Sequence, residues 1–370
     1  MKRPVSYVVI AGTVLVGILS PFLLAKQYRL IDQKGRVILY ATSDLEETST
    51  SVAAPSVLPY CSREQVQQGF WTYNQTQPLR YRSTPWEETC YTNGKGYYPT
   101  QWNVDDACQL VEWDPATLCE VLEHKTLGFI GDSISWQIFR SLKYLLNAEP
   151  TVERKVLEEF KCCQNTTIFW SRSNKLALEG AQQMIDQYQP DILVVNRGAW
   201  YDPDDVFFPQ LQQVLPLFRT WLEQNDDRVF IWRTTAPGIP QCETFPVPYL
   251  YFENNSSFLL TRMEQHVESL PWYMADEKRK EFYWWNFRAQ NALVEDTLQQ
   301  VLGPSQQLEF LDTYHWYIQQ PGLRIGAVST DGDCLHHCLP GIPDESSRLL
   351  LHLLQRRRTS NMALTTKNAK

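Results

Sequence analysis

Apolar positions change their spacing along this chain, and the changes divide it into parts. Residues 5–25 are an unbroken uncharged run between Lys2-Arg3 and the pair Lys26 and Arg29. A helix of that length matches the hydrocarbon thickness of a bilayer, so residues 5–25 are expected to be a single transmembrane helix, with residues 1–25 forming a short cytosolic end and anchor. The run is long for a cleaved leader, and no small-x-small site follows it. Residues 26–59 lose the apolar pattern and end in Thr48-Ser49-Thr50-Ser51-Val52-Ala53-Ala54-Pro55-Ser56, the composition of a flexible stem. Residues 60–124 carry four cysteines, many aromatics and turn formers such as Asn93-Gly94 without a sustained period, which predicts a disulfide-stapled cap.

From Lys125 onward, short apolar runs alternate with amphipathic stretches. Runs at 126–131, 167–171, 191–196, 228–233 and 308–312 read as buried strands, and 135–146, 176–187, 208–223 and 279–302 as helices. This alternation predicts an α/β domain over 125–355, a parallel sheet with helices on both faces, followed by a basic flexible tail at 356–370. Ligands of such sheets sit at the carboxyl ends of the strands. Ser133, Asn196 and Arg233 all fall at those ends.

Composition sharpens this picture. At 43% hydrophobic and 13% aromatic, the chain has the material for a packed core. A net charge of −8 with no basic stripe argues against nucleic acid as a partner. All nine cysteines follow the apolar run, and Asn74, Asn165, Asn254 and Asn255 open glycosylation sequons, as expected of a chain that folds in an oxidising lumen. An odd cysteine count leaves at least one thiol unbridged within the chain, and the pairing stays open. Aromatic clusters such as Trp200-Tyr201 and Tyr283-Trp284-Trp285 suit the faces of sugar rings as well as a core.

Chemistry enters with Gly131-Asp132-Ser133 after the first strand and Asp333-Cys334-Leu335-His336 some 200 residues later. A serine in a strand-to-helix turn can receive developing negative charge on nearby backbone N–H groups, its own included. His336 would take its proton, and Asp333, three residues earlier, would orient the ring. The competing register uses His337 as base and Asp331 as its partner, and Asp132 or Ser133 can equally act as a helix cap. Cys334, His336, His337 and Cys338 are all metal-ligand types, but so short a segment does not supply four tetrahedral ligands, and no metal site is expected. Asn196 is a candidate oxyanion donor or an ordinary turn residue. Arg233 is a candidate for positioning substrate, together with Trp200, or for a structural ion pair.

The blocks Phe129-Ile130-Gly131-Asp132-Ser133, Val195 to Trp200, Trp232 to Gly238 and Asp333 to Asp344 resemble, in order and spacing, the trichome-birefringence-like, PC-esterase family of polysaccharide O-acetyltransferases, within the SGNH/GDSL hydrolase group. The resemblance extends from about Cys61 to Leu354, with the Asp-Cys-Leu-His-x-Cys-Leu-Pro-Gly block its most specific part. It implies a three-layer SGNH-like domain in a type II Golgi membrane protein with a lumenal catalytic domain. By motif position Ser133 is the nucleophile, Asp333 and His336 its partners, and Asn196 an oxyanion donor. No cofactor is implied beyond an acetyl donor, acetyl-CoA or another acetyl ester, and the partner is a glycan acceptor. Ala199 stands where the family has histidine, His337 where it has tryptophan, and Glu345-Ser346-Ser347 in place of a Trp-Asn pair, departures that bear on the acceptor. Acetylester hydrolysis and non-catalytic glycan binding are the alternative functions.

Overall fold

The computed structural model of the chain describes residues 30–31, 37–38, 58–73, 78–88, 99–198, 203–245, 256–269, 282–303, 307–327 and 332–368. The expected anchor at 5–25, Asp331, Trp200 and the sequon residues Asn74, Asn254 and Asn255 lie outside them. Among the described residues, no helix is long and apolar enough to cross a membrane. The chain divides after Ser56 into two units. In the first, β1 (Leu30–Ile31) pairs antiparallel with β2 (Val37–Ile38).

The second unit begins with α1 (Arg63–Gln67), where Ser62 and Gln65 exchange side chain to backbone hydrogen bonds in a capping box. An antiparallel pair, β3 (Phe70–Tyr73) and β4 (Thr100–Asn103), sets Trp71 opposite Trp102. After α2 (Pro115–Val121) comes the sheet: β5 (Thr126–Gly131), β6 (Pro150–Arg154), β7 (Leu157–Cys162), β8 (Thr166–Arg172), β9 (Ile192–Val195), β10 (Val229–Arg233) and β11 (Leu308–Leu311). Its spatial order is β11-β10-β9-β5-β8-β7-β6. The pairs from β11 to β8 are parallel, whereas β7 runs antiparallel to both β8 and β6. The sheet is therefore mixed rather than wholly parallel. The β6–β7 ribbon hides from a hydrophobicity pattern because Glu158 sits on its inward face beside Phe160, held there by the Trp136 indole N–H at 2.6 Å.

Alternation along the central strands feeds two cores. Leu193 and Val195 of β9 and Phe230 and Trp232 of β10 pack with α4 (Leu178–Tyr188), α5 (Asp204–Glu223), α6 (Ser256–Glu268) and α7 (Phe287–Leu302). Their neighbours Ile192, Val194, Val229 and Ile231 face α3 (Ser133–Leu145) and α9 (Ile342–Asn368). Burial on both faces makes each strand read as a continuous apolar run, the mark of a sheet sandwiched by helices. Between β11 and α9 lies the short α8 (Tyr314–Ile318).

The region read as a cap shares the second core. Trp102 packs against Trp71 and against Trp316 of α8 at centroid distances of 5.2 and 5.4 Å, and its indole N–H donates to the Val66 carbonyl at 2.8 Å. Each buried tryptophan removes roughly 150–250 Å² from water, so this stack attaches residues 60–124 firmly to the sheet domain. Disulfide Cys119–Cys163 adds a covalent tie by joining α2 to the turn between β7 and β8, while Cys61–Cys108 staples residues 60–124 internally. Cys162 is the thiol left unbridged among the described cysteines, pushed up to about 11 by burial. In the same turn Asn165 is exposed, as a glycosylation acceptor must be. The tail expected at 356–370 is instead helical as far as Asn368, with Arg356 paired to Glu309 at 2.8 Å and Arg358 to Glu120 at 3.1 Å.

Candidate active site

Strand β5 ends at Gly131 and α3 starts at Ser133, so Asp132 occupies the cap position between them. Its carboxylate accepts from the Ile134 and Ser135 N–H groups, both at 3.0 Å. That leaves the Ser133 N–H at the helix start with no hydrogen-bond partner among the described residues. The cap aspartate is fully buried, and the charge is balanced by an equally buried Arg233, whose Nη2 lies 2.7 Å from Asp132 Oδ1. Arg233 Nε also donates to Ser135 Oγ at 3.1 Å, and that hydroxyl donates onward to Asn196 Oδ1 at 3.1 Å. Asn196 closes the ring by accepting from the Asp132 N–H at 3.2 Å.

These contacts place Arg233 and Asn196 at the turn. Arg233 is fully buried, with Nε and Nη2 engaged with the turn and Nη1 donating to the Thr234 carbonyl at 3.2 Å, so it holds the turn. Asn196 also has no accessible surface, and its amide N–H donates to Thr235 Oγ1 at 3.2 Å. In this conformation Asn196 braces the turn through both ends of its amide. The glycines of the two motifs answer to the same crowding. A Cβ at Gly198 would fall 2.1 Å from that of Asp132, and one at Gly131 would fall 2.4 Å from Asn196 Oδ1.

The second half of the site lies between the 3₁₀ turn Ile325–Ala327 and α9. Asp333 Oδ1 accepts from the Leu335 and His336 N–H groups at 3.1 Å, and its Oδ2 lies 2.8 Å from His336 Nδ1. Burial opposes ionisation of Asp333, but the His336 ring and the two N–H donors outweigh it and hold the carboxyl at about 2. An ionised carboxylate only accepts, so His336 Nδ1 carries a proton, and in the neutral ring Nε2 keeps a lone pair. That nitrogen is 2.7 Å from Ser133 Oγ. Trp86 packs edge-on against the ring at a centroid distance of 5.3 Å.

Nearly every peptide of this segment is pinned. Ile239 N–H donates to the Cys334 carbonyl at 2.9 Å, Arg324 to that of Leu335 at 2.6 Å, and Ile325 N–H to that of His336 at 2.9 Å. Gln137, one turn along α3 from Ser133, grips the peptide groups on either side of His337. Its Nε2 donates to the His337 carbonyl at 2.6 Å and its Oε1 accepts from the His337 N–H at 3.1 Å. Gln137 thereby ties the helix that carries Ser133 to the loop that carries His336. Its signal in the sequence is a glutamine on the buried face of an amphipathic helix, four residues after the serine.

The rival arrangements fall to the same geometry. His337 is fully buried against Tyr317, and burial together with Arg324 and His336 holds it well below the ordinary histidine range, so it is a neutral core residue. Cys334 is bridged to Cys242 across 92 residues, and Cys338 is also disulfide-bonded, which takes both sulfurs away from a metal.

No family model matches the chain. Pairwise comparison does find relatives. The chain is 23% identical over 358 residues to the probable xylan O-acetyltransferase 8 of Oryza sativa subsp. japonica, covering 82% of this chain and 80% of that protein. It is 23% identical over 368 residues to trichome birefringence-like 6 of Arabidopsis thaliana, covering 79% and 71% respectively. The chain is a distant relative of the trichome-birefringence-like proteins. A shorter match, 32% identical over 88 residues and 22% of each chain, is to xyloglucan O-acetyltransferase 3 of Populus trichocarpa.

Proposed function

We propose that this chain is a glycan O-acetyltransferase that works through an acetyl-Ser133 intermediate. One observation carries the reading: the continuous contact from Asp333 through His336 to Ser133 Oγ, at 2.8 and 2.7 Å, in which a neutral ring protonated on Nδ1 offers Nε2 as a base. Ser133 Oγ attacks the acetyl carbonyl carbon of the donor as His336 Nε2 takes the hydroxyl proton, and Asp333 stabilises the resulting imidazolium. The oxygen of the tetrahedral intermediate takes its negative charge beside the helix start, where the Ser133 N–H has no protein acceptor. Collapse expels the donor's leaving group with the proton from His336. A sugar hydroxyl then gives its proton to His336 and attacks the acetyl-serine, and His336 returns the proton to Ser133 as the acetylated sugar leaves.

The names of the relatives support polysaccharide as the acceptor. In this reading residues 5–25 anchor a type II protein of the Golgi membrane, and the disulfides and the exposed Asn165 belong to a lumenal domain. The test is to incubate the purified chain with labelled acetyl donor and xylan oligosaccharides. Label should pass to Ser133 and then to sugar, and Ser133→Ala should abolish both, a loss of about 10⁴-fold or more. Sugar labelled at the wild-type rate by Ser133→Ala rules out the acyl-serine route, and release of free acetate alone makes the protein an acetylesterase.

A further inference from the structure

A cavity of about 380 Å³ opens at the carboxyl ends of β10 and β11, on the sheet edge that also carries Ser133 but not around it. That volume is within the range of small-ligand pockets. Neighbouring strands lie about 4.8 Å apart, and β10 and β11 stand two and three strands from β5. The cavity is therefore displaced from the nucleophile by roughly 10–15 Å. One backbone segment serves both places: Arg233 holds the Asp132 turn, Thr234 Oγ1 donates to Asp312 Oδ1 on the cavity floor at 3.1 Å, and Thr235 accepts from Asn196.

The lining is built for hydroxyl groups. Its charged side chains are two arginines, Arg63 and Arg288, against four carboxylates, Glu64, Glu264, Glu295 and Asp312. Both arginines are already paired, Arg63 with Glu295 at 2.6 Å and Arg288 with Glu264 at 3.1 Å, so nothing in the cavity calls for an anionic ligand. His315 also lines it with 27% of its side chain exposed, and Nδ1 is tied to Asp312 Oδ1 at 3.1 Å. Its Nε2 has no hydrogen-bond partner among the described residues. That nitrogen accepts when the ring is neutral and donates when it is protonated, and a sugar hydroxyl can serve it in either state. We propose that this cavity seats a neutral, hydroxyl-rich sugar unit of the acceptor, a few rings along the chain from the one acetylated at Ser133, with His315 Nε2 as its central contact. The proposal rests on the glycan O-acetyltransferase reading above.

Binding can be measured apart from chemistry, using the full chain carrying Ser133→Ala and titrating it calorimetrically with acetyl-free xylohexaose. The expected result is saturable binding that weakens at least tenfold on adding His315→Ala and partly recovers with His315→Gln, which restores a polar tip. Melting temperatures identify variants that have merely lost their fold, and Glu295→Gln, which alters a second cavity wall, should weaken binding in the same direction. No binding by the Ser133→Ala chain, unchanged binding in both cavity variants, or equally tight binding of an anionic polygalacturonate oligomer each overturns the proposal. Failure of the acetyl-serine reading shows up separately, as transfer that survives Ser133→Ala.

Discussion

The chain contains two Asp-x-x-His pairs on the same edge of the sheet domain, Asp333 with His336 and Asp312 with His315, and they are built alike up to the far ring nitrogen. In both, a carboxylate holds Nδ1, at 2.8 Å in the first and 3.1 Å in the second. In the first, Nε2 meets Ser133 Oγ at 2.7 Å, and the carboxylate is braced by two backbone N–H groups. In the second, Nε2 faces a cavity, and the carboxylate is braced by the side chains of Arg63, Gln67 and Thr234. The two rings differ in what stands opposite them, a hydroxyl or a cavity, and on the proposed readings that difference assigns proton transfer to the first and ligand contact to the second.

The largest expected difference between the pairs lies in their histidines. His336→Ala should reduce transfer by about 10⁴-fold through kcat, because Ser133 loses the base that takes its proton. His315→Ala should reduce kcat/KM for a xylan oligosaccharide by about tenfold through KM, the cost of one lost acceptor contact. Initial-rate kinetics of the two variants on one acceptor series separate these outcomes. A kcat collapse in both would mean that the second pair also takes part in the chemistry.

Gln137 offers a smaller and more selective perturbation, because its two contacts to His337 belong to the first pair alone. Gln137→Leu keeps most of the volume and leaves the buried N–H and carbonyl of His337 unpaired, at about 1–3 kcal/mol each. A melting curve should register that loss. The rate of acetyl-serine formation should also fall, by about 10- to 100-fold for a misplacement on the order of 1 Å, while xylohexaose affinity stays as before. If affinity falls instead and acetylation does not, the tie from α3 to the His336 loop has been misread.

How far these features were legible in the sequence follows from the kind of signal each one leaves. Strands β5, β8, β9 and β10 are buried on both faces and stand out, and the edge strand β11 still shows as Leu308, Phe310 and Leu311 around one glutamate. Ser133, Asp333 and His336 stand out because a tight turn and a three-residue spacing are local, and the fold brings the three side chains into contact. The β6–β7 ribbon does not, since its inward Glu158 is hydrogen-bonded by Trp136 and paired with Lys143, partners supplied only by the fold. The sequence does not separate His336 from His337, whereas the fold buries His337 in the core and sets His336 beside Ser133. Arg233 and Asn196 were correctly seen at strand ends. Whether such residues point outward to substrate or inward to brace a turn depends on Ser135 and Thr235, which carry no motif of their own. Asp312 and His315 repeat the Asp333 to His336 spacing and were legible by that measure, yet they lie in an aromatic run that reads as core.

The smallest expected effect is in the pH dependence of stability, and it tests whether the second pair forms an ion pair in the folded protein. Burial works against protonation of His315, but Asp312 and Glu264 outweigh both that and the nearby Arg63, so the ring is held above its ordinary value of 6.5. A raised histidine contributes stability that is fully present below the unfolded value and is lost as pH rises through the folded one. His315→Ala should therefore lower the denaturant midpoint more at pH 5.5 than at pH 9. Asp333 works in the opposite sense, since a carboxyl held at about 2 contributes stability above its unfolded value and loses it as pH falls through 2. Only the alkaline side separates the pairs: the His315 contribution ends there, whereas on the acid side Asp312, which against the cost of burial His315 and Arg63 also hold well below the usual carboxylate range, loses its contribution along with Asp333. Equal destabilisation by His315→Ala at both pH values would show that Asp312 holds a neutral ring, and that the cavity presents an acceptor rather than a donor to its ligand.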